Sequence, residues 1–312
     1  MSTIFNRIHA IKEVQNRRIL FAALNWGMGH VSRSIPLLGT LQEQGNKIFI
    51  ACNAQQESIY RHYFPNITYY RLQDYPFLFS SKGFRTTDFL RRIPALRRQL
   101  RTEKKRVAEL VDHLTVDLIL SDHRYGFIHP MVESVFITHQ CRLPLPWYGF
   151  MIQWVHQKLM HQFTSCWIID TATQEFAGKL SRNPGMPHKY LGIASRFVPH
   201  EENKQWKVLL LNGPSEFHGW LIAYYRNQLH EVDYVIGSHR SLPDEIPQIT
   251  DWIEADRLLN SAHTVLSFCG YSTLLDMHAL RCKWLTVPTP GQFEQAYLYQ
   301  QKTLREGGFS KH

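Results

Sequence analysis

Ile19-Leu-Phe-Ala-Ala-Leu-Asn25, Trp26-Gly-Met-Gly-His30, a helical stretch from Val31 to Gln44, Gly45-Asn46 and Lys47-Ile-Phe-Ile-Ala-Cys52 follow one another without a gap. The first piece is a nearly continuous apolar run, as a parallel strand covered on both faces requires. Glycines and a histidine turn the chain. Ile35, Leu37, Leu38 and Leu41 then recur at helical spacing. Gly45-Asn46 stops that helix, and a second apolar run follows. The order is β–turn–α–β, the unit of a doubly wound sheet.

Outward from this unit the alternation continues. Further strands are predicted at 67–72, 117–121, 134–138 and 166–170, with helices at 55–63, 94–114 and 148–162. A second strand–helix series begins at Lys207-Val-Leu-Leu-Leu-Asn212 and runs through 234–236, 264–267 and 284–287. Between the two series, Gly192–Trp206 is polar, carries Pro199 and has no periodicity, which reads as a linker. The expectation is two α/β domains, 1–195 and 204–312.

Composition narrows the function classes. With 44% hydrophobic and 20% charged residues in 312, the chain can bury large cores, which argues against disorder and small disulfide scaffolds. Its five cysteines are scattered and show no CxxC spacing, so neither a zinc site nor a disulfide framework is predicted, and a cytosolic setting is expected. The first residues are charged and unlike a signal peptide, and no run approaches the roughly 20 apolar residues of a membrane span. The net charge of +9 suits an anionic partner.

Three loops, each just past a strand, carry the chemistry, and that is where ligands of open α/β sheets bind. In Gly27-Met28-Gly29-His30 the glycines permit a sharp turn and close approach of another group. The N–H groups opening the next helix favour an anion, and His30 suits a general base near neutral pH. The same residues also fit a plain βα turn with a capping histidine. Ser32 and Arg33 follow, so the GxGxxG dinucleotide fingerprint is absent. In Ser267–Asp276, Gly270, Ser272 and Thr273 offer donors at a helix start, and Asp276 could accept from ribose hydroxyls. The alternative is ordinary capping with Asp276 on a solvated face. In Pro288–Gln295, Gly291 fixes a loop, and Gln292, Glu294 and Gln295 suit sugar hydroxyls or helix capping.

Taken together, the second and third motifs resemble the donor domain of GT-B glycosyltransferases, family-28-like, the group that includes the lipid II-forming N-acetylglucosaminyltransferase. Residues 27–33, GMGHVSR, resemble that group's first glycine loop, and the resemblance runs from about residue 18 to 308. It implies two Rossmann-like domains facing across a cleft, with the acceptor side first and the nucleotide-sugar donor side second. It puts a catalytic or acceptor-positioning histidine at His30, with Gly27 and Gly29 in the acceptor-side loop. A phosphate-binding threonine falls at Thr273, a ribose-binding acid at Asp276, and the donor-sugar loop at Gln292, Glu294 and Gln295. Gly213 and Ser215 fall in the loop near the diphosphate, and His123, Arg124 and His139 follow strand ends that would line the cleft. Where relatives often carry Arg-Ser before Gly270, this chain has Phe268-Cys269, and its closing segment past Gly307 is expected to be short.

The implied activity is transfer of a sugar from a UDP-linked donor to an acceptor hydroxyl, inverting and metal-independent, with the nucleotide sugar as co-substrate and no other cofactor. The rivals are a GT-B sugar-nucleotide 2-epimerase, ranked lower because the loop at His30 offers no nearby acid, and a degenerate binding protein. Residues 91–106 are strongly basic, with Arg91, Arg92, Arg97, Arg98, Arg101, Lys104 and Lys105 against a single acid, Glu103. They suit an anionic membrane surface or a lipid-linked or anionic acceptor, or else form a solvated face. The protein would then be cytoplasmic and peripheral on the inner face of the membrane. No nucleic-acid-binding motif accompanies the charge. The aromatic-rich 143–154 segment fits either a lipid contact or a buried helix start.

Overall fold

β1 (Arg18–Ala23) is buried almost throughout, and parallel neighbours flank it on both sides: Phe21 pairs with Ile50 on one and with Leu120 on the other. This is the continuous apolar run of the sequence in its structural role. The computed structural model describes residues 8–75, 86–145, 149–198 and 204–308, and side chains at 86–93 and 306–308 fall outside the description.

The described chain divides into two compact units, one ending at Arg196 and the other beginning at Phe197 in its main stretch. In the first, β1 is followed by α1 (Gly29–Glu43), β2 (Lys47–Cys52), α2 (Ala54–Tyr63), β3 (Thr68–Arg71) and α3 (Thr86–Leu114). β4 (Leu118–Asp122), β5 (Glu133–Thr138), α4 (Phe150–Met160), β6 (Ser165–Ile168) and β7 (His188–Tyr190) complete it. The seven strands are parallel, in the order β3-β2-β1-β4-β5-β6-β7. The second unit holds β8 (Trp206–Leu210), α5 (His218–Tyr224), β9 (Tyr234–Ile236), β10 (Gln248–Ile249) and α6 (Trp252–Asn260). It ends with β11 (Ala262–Phe268), α7 (Tyr271–Leu280), β12 (Lys283–Val287) and α8 (Phe293–Gly308). Its strands are also parallel, in the order β10-β9-β8-β11-β12.

Both orders reverse direction once, between β1 and β4 in the first unit and between β8 and β11 in the second. At such a switch point the crossovers leave on opposite faces and open a crevice at the carboxyl ends of the strands. Three differences from the sequence reading stand out. α3 begins at Thr86 rather than at 94 and runs through Pro94, which is exposed and so displaces no core contact. β7 and β10, only three and two residues long, are too short to show a period.

α3 packs Val107, Leu110, Val111 and Leu114 against Leu20, Ile119 and Phe127 in the first core, and Leu209, Val235, Leu266 and Phe268 centre the core of the second unit. Cys52, Cys141, Cys166 and Cys269 are buried thiols and Cys282 is half-buried; none forms a disulfide. Among the described residues, no helix is long and apolar enough to cross a membrane.

Candidate functional site

Gly27 adopts a φ of +86°, a conformation open to glycine at little cost, and this turns the chain off β1 directly into α1. His30 thereby stands in the first turn of α1, at the switch point, with its side chain 16% exposed. One helical turn on, Arg33 lies on the same face. Its Nε donates to Asp122 Oδ2 at 2.9 Å, and its Nη2 makes a second, short bond to Asp122 Oδ1. The two oxygens are thus gripped by one planar fork. Asp122 is the last residue of β4, next to β1 in the sheet. His30 Nδ1 lies 3.1 Å from Asp122 Oδ2 and 2.8 Å from Arg33 Nη2. The remaining donor, Arg33 Nη1, reaches His139 Nδ1 at 2.8 Å. His123, held at a φ of +59°, bonds Thr138 Oγ1 and packs its ring edge-on against His30 at 5.5 Å.

The structure therefore gathers His30, His123 and His139 around a charged pair, Arg33–Asp122, that sequence reasoning left out. It also overturns the expectation that His30 has no nearby acid. The signal was present: Asp122 directly follows a predicted strand and Arg33 is three residues from His30.

Burial alone would push the Asp122 carboxyl up, but Arg33 and then His30 hold it well below the usual carboxylate range. His30 is lowered, first by burial and then by Arg33, although Asp122 pulls the other way. His123 is pushed well below its ordinary value by burial and by Arg33. All three imidazoles thus sit near one guanidinium and one carboxylate, and His30 and His123 are biased toward the neutral form.

Arg124 is placed elsewhere. It is 1% exposed, its Nε bonds Glu103 Oε1 at 2.5 Å and its Nη2 bonds the Gln73 carbonyl at 2.6 Å. Its guanidinium lies 4.7 Å over the Tyr75 ring, and the Tyr75 hydroxyl closes on Glu103. Buried on every side, it staples α3 to the loop after β4 instead of lining a crevice.

In the second unit Asn212, just past β8, is the organiser. Its side chain accepts from the Phe268 N–H at 2.8 Å and donates to the Phe268 carbonyl and to Thr273 Oγ1, both at 2.9 Å. It joins the two loops of that switch point, and sequence reasoning gave it no role of its own. Gly213 has a φ of +76°, and a Cβ there would lie 3.4 Å from Phe268 Cδ2. Gly270 is the N-cap of α7, with no side-chain cap over the opening turn that carries Ser272 and Thr273. Asp276, one turn along, is 7% exposed, so the solvated-face alternative does not hold. Phe268 is buried and stacks on the half-exposed Trp220 at 5.9 Å.

Gly291 is exposed at the turn before α8, Gln292 and Glu294 are half-buried, and Ser215 is exposed in a short 3-10 turn. Gln295 is committed to its own loop: Oε1 accepts from Thr289 N and Oγ1 at 2.8 and 2.9 Å, and Nε2 donates to Gln292 at 2.6 Å. It braces the loop that presents Gln292 and Glu294.

Solved structures resemble both units over nearly the whole chain. The spinosyn forosaminyltransferase SpnP matches with a TM-score of 0.59 at 12% identity, covering 92% of this chain and 84% of that one. The glycosyltransferase SsfS6 of Streptomyces sp. SF2575, complexed with thymidine diphosphate, gives 0.56 at 15%, covering 91% and 85%. Arabidopsis thaliana UGT89C1, complexed with quercetin, gives 0.51 at 12%, covering 96% and 91%. The chain has the GT-B fold. No family model matches the sequence, and no curated protein matches it.

On this GT-B scaffold the basic helix α3 exposes Arg97, Arg98, Arg101, Lys104 and Lys105 while burying Glu103. The side chains of Arg91 and Arg92 lie outside the described residues. α4 is not a buried helix start. Phe150, Met151 and Trp154 are 68%, 64% and 59% exposed, and Lys158 sits 5.1 Å over the Trp154 ring.

Proposed function

We propose that this protein is a glycosyltransferase that moves a sugar from a nucleoside diphosphate sugar to an acceptor hydroxyl. The observation that carries the reading is the His30–Asp122 contact of 3.1 Å at the switch point of a GT-B fold. Nδ1 faces two opposed partners, the donor Arg33 Nη2 at 2.8 Å and the acceptor Asp122 Oδ2 at 3.1 Å; in the tautomer whose Nδ1–H donates to Asp122, the lone pair of Nε2 takes the acceptor's proton as its oxygen attacks C1 of the sugar. Direct displacement of this kind inverts the anomeric centre. The departing diphosphate gains charge, and the N–H groups opening α7, with the Ser272 and Thr273 hydroxyls, are the donors that would offset it, in place of a metal ion. Asp276 would accept from the ribose diol, and Gln292 with Glu294 would contact the sugar.

SsfS6 and SpnG are each described as complexed with thymidine diphosphate, which supports a nucleoside diphosphate as the donor's leaving group. The resemblance of loops 27–33, 270–276 and 288–295 to the lipid II-forming group is what supports a place beside it, and a uridine base follows from that resemblance alone. The exposed apolar start of α4 and the cations of α3 support an acceptor with a lipid or anionic part, met at the cytoplasmic face of a membrane. The epimerase reading needs carboxylates around the donor sugar in both units, whereas in the first unit the oxygens of Asp122 are taken by Arg33 and His30.

A panel of nucleotide sugars screened by thermal shift tests the reading, since a ligand at 100 times its dissociation constant adds about 2.7 kcal/mol. Asp276→Asn should weaken the bound donor roughly 10- to 150-fold, the worth of a charge-assisted hydrogen bond. A wild-type protein that binds none of the panel would sink the proposal.

A further inference from the structure

At the carboxyl end of β8 a side chain takes over from the main chain. Leu210 still pairs with Ser267 of β11, but the Asn212 N–H turns back onto the Leu210 carbonyl at 2.9 Å. The backbone has left the ladder there, one residue before Gly213 turns at a φ of +76°. Phe268, the next residue of β11, would lose its neighbour on that side. The Asn212 amide replaces it: Oδ1 accepts from the Phe268 N–H at 2.8 Å and Nδ2 donates to the Phe268 carbonyl at 2.9 Å.

Those two bonds fix the amide end for end. A backbone N–H only donates and a carbonyl only accepts, so the oxygen and nitrogen of Asn212 cannot be exchanged. An amide nitrogen carries two protons. One goes to the Phe268 carbonyl, and the other goes to Thr273 Oγ1 at 2.9 Å. Thr273 is therefore the acceptor in that bond, and its own hydroxyl proton is left for another partner.

A threonine hydroxyl in a helix commonly turns back onto a carbonyl three or four residues earlier. In α7 the Thr273 oxygen is instead drawn across to the loop after β8, and the Asn212 bond is the one this hydroxyl makes among the described residues. Gly270 borders both groups. A Cβ there would lie 3.5 Å from Thr273 Oγ1 and 3.8 Å from Asn212 Nδ2, and as glycine it adds no side chain over them. Gly270 and Thr273 are both half-buried, so solvent reaches this corner.

We propose that Asn212 is a positioning residue for the departing diphosphate: by donating to Thr273 Oγ1 it commits the Thr273 hydroxyl proton to the phosphate oxygens. This rests on the transferase reading above, in which Thr273 is one of the donors at α7. A hydroxyl already committed to donating meets an anion with no bond to break and no dipole to turn, which is the condition under which a fixed donor stabilises developing charge best. Asn212 acts through Thr273 and needs no contact with the ligand itself.

The test is a double-mutant cycle read by titration calorimetry with UDP and with thymidine diphosphate. Thr273→Val, which removes the hydroxyl and keeps the shape, should weaken the bound nucleotide roughly 10- to 150-fold, the worth of a charge-assisted hydrogen bond. Asn212→Ala should forfeit a good part of that, about tenfold, while threonine stands at 273. Added to Thr273→Val it should cost nothing further. Thr273→Ser, which keeps the hydroxyl, should restore the sensitivity to Asn212→Ala. Urea unfolding reads the plain structural role: Asn212→Ala should lower the midpoint in both backgrounds, because the Phe268 bonds are lost in each.

Losses of affinity that add in the double variant, or an Asn212→Ala protein that binds nucleotide like wild type, overturn the proposal and leave the transferase reading standing. Wild type that binds neither nucleotide overturns both. Should Asn212→Ala not fold, Asn212→Asp takes its place. One carboxylate oxygen keeps the Phe268 N–H and the other draws the Thr273 proton onto itself, so Thr273→Val should add no loss in that background; a further loss there overturns the proposal equally.

Discussion

Asp122→Asn changes one atom of the buried charge cluster and should separate its structural from its chemical role. Arg33, 2% exposed, now donates two bonds to a carboxylate. An asparagine offers a single oxygen and turns an NH2 toward the second donor, leaving the guanidinium buried without its counter-charge. Breaking such a pair costs about 3–5 kcal/mol, a large share of a total of roughly 5–15. The pH profile follows from the sign of the shift. Because Asp122 titrates lower in the fold than its free value of about 4, its contribution is complete above that pH and is lost only as pH falls toward the folded value. The gap between wild type and variant, read from urea unfolding, should be flat from about pH 7 to 5 and close only in stronger acid.

The chemical loss is of a different kind. An NH2 3.1 Å from His30 Nδ1 would join Arg33 Nη2 as a second donor facing that nitrogen and remove the acceptor that the Nδ1–H tautomer needs, so Nε2 carries the proton and cannot take another. Release of nucleoside diphosphate from the donor should fall on the order of 10²- to 10⁴-fold, as when a triad aspartate loses its charge. Nucleotide affinity should hold, because the residues assigned to it belong to the other unit. A variant that unfolds like wild type and turns over at the wild-type rate refutes both the charge lock and the tautomer argument.

His30→Ala should cut turnover by a similar 10²- to 10⁴-fold while leaving stability and donor affinity in place, as steady-state rates and calorimetry would show. Arg124→Gln should cost about 3–5 kcal/mol by stranding Glu103, yet leave nucleotide binding by the folded protein intact; a stable but inactive variant would return Arg124 to the site. His156 is held by the Tyr125 hydroxyl and the Gln140 carbonyl, and burial lowers its pKa to about 4. The unfolded chain then binds the proton first. Its contribution is full above about pH 6.5 and should drop by about 2 kcal/mol between pH 7 and 5, so His156→Gln should remove that part of the slope in urea melts and leave the part due to His30 and His123.

What the sequence makes legible is local. Continuous apolar runs mark buried parallel strands, and the turn residues after them mark where His30, Gly270 and Gln292 would stand. What it hides depends on which strands become neighbours. Asp122 meets His30 because β4 lies beside β1 after a long crossover, and Asn212 meets Thr273 because β8 lies beside β11. Neither adjacency leaves a periodic trace. Arg124 and His123 are consecutive residues after one strand, yet a positive φ at His123 sends them to different partners. The short strands β7 and β10 and the extension of α3 ahead of Pro94 were missed for the same reason: packing decided them, not pattern.

The sealed thiols have a practical consequence. Burial raises the pKa of Cys52 and Cys269 to about 12 and raises half-buried Cys282, whose sulfur rests 3.3 Å from Met277 Sδ, while a hydrogen bond with Cys141 and then burial push Cys166 well up. The thiolate is the species that attacks maleimides, so at neutral pH these groups form a nearly silent background. One surface cysteine introduced into each unit could be labelled with a dye pair without first removing the native sulfurs. Energy transfer between the dyes would then report, in an otherwise natural protein, whether the separation of the units changes when a nucleotide sugar is added.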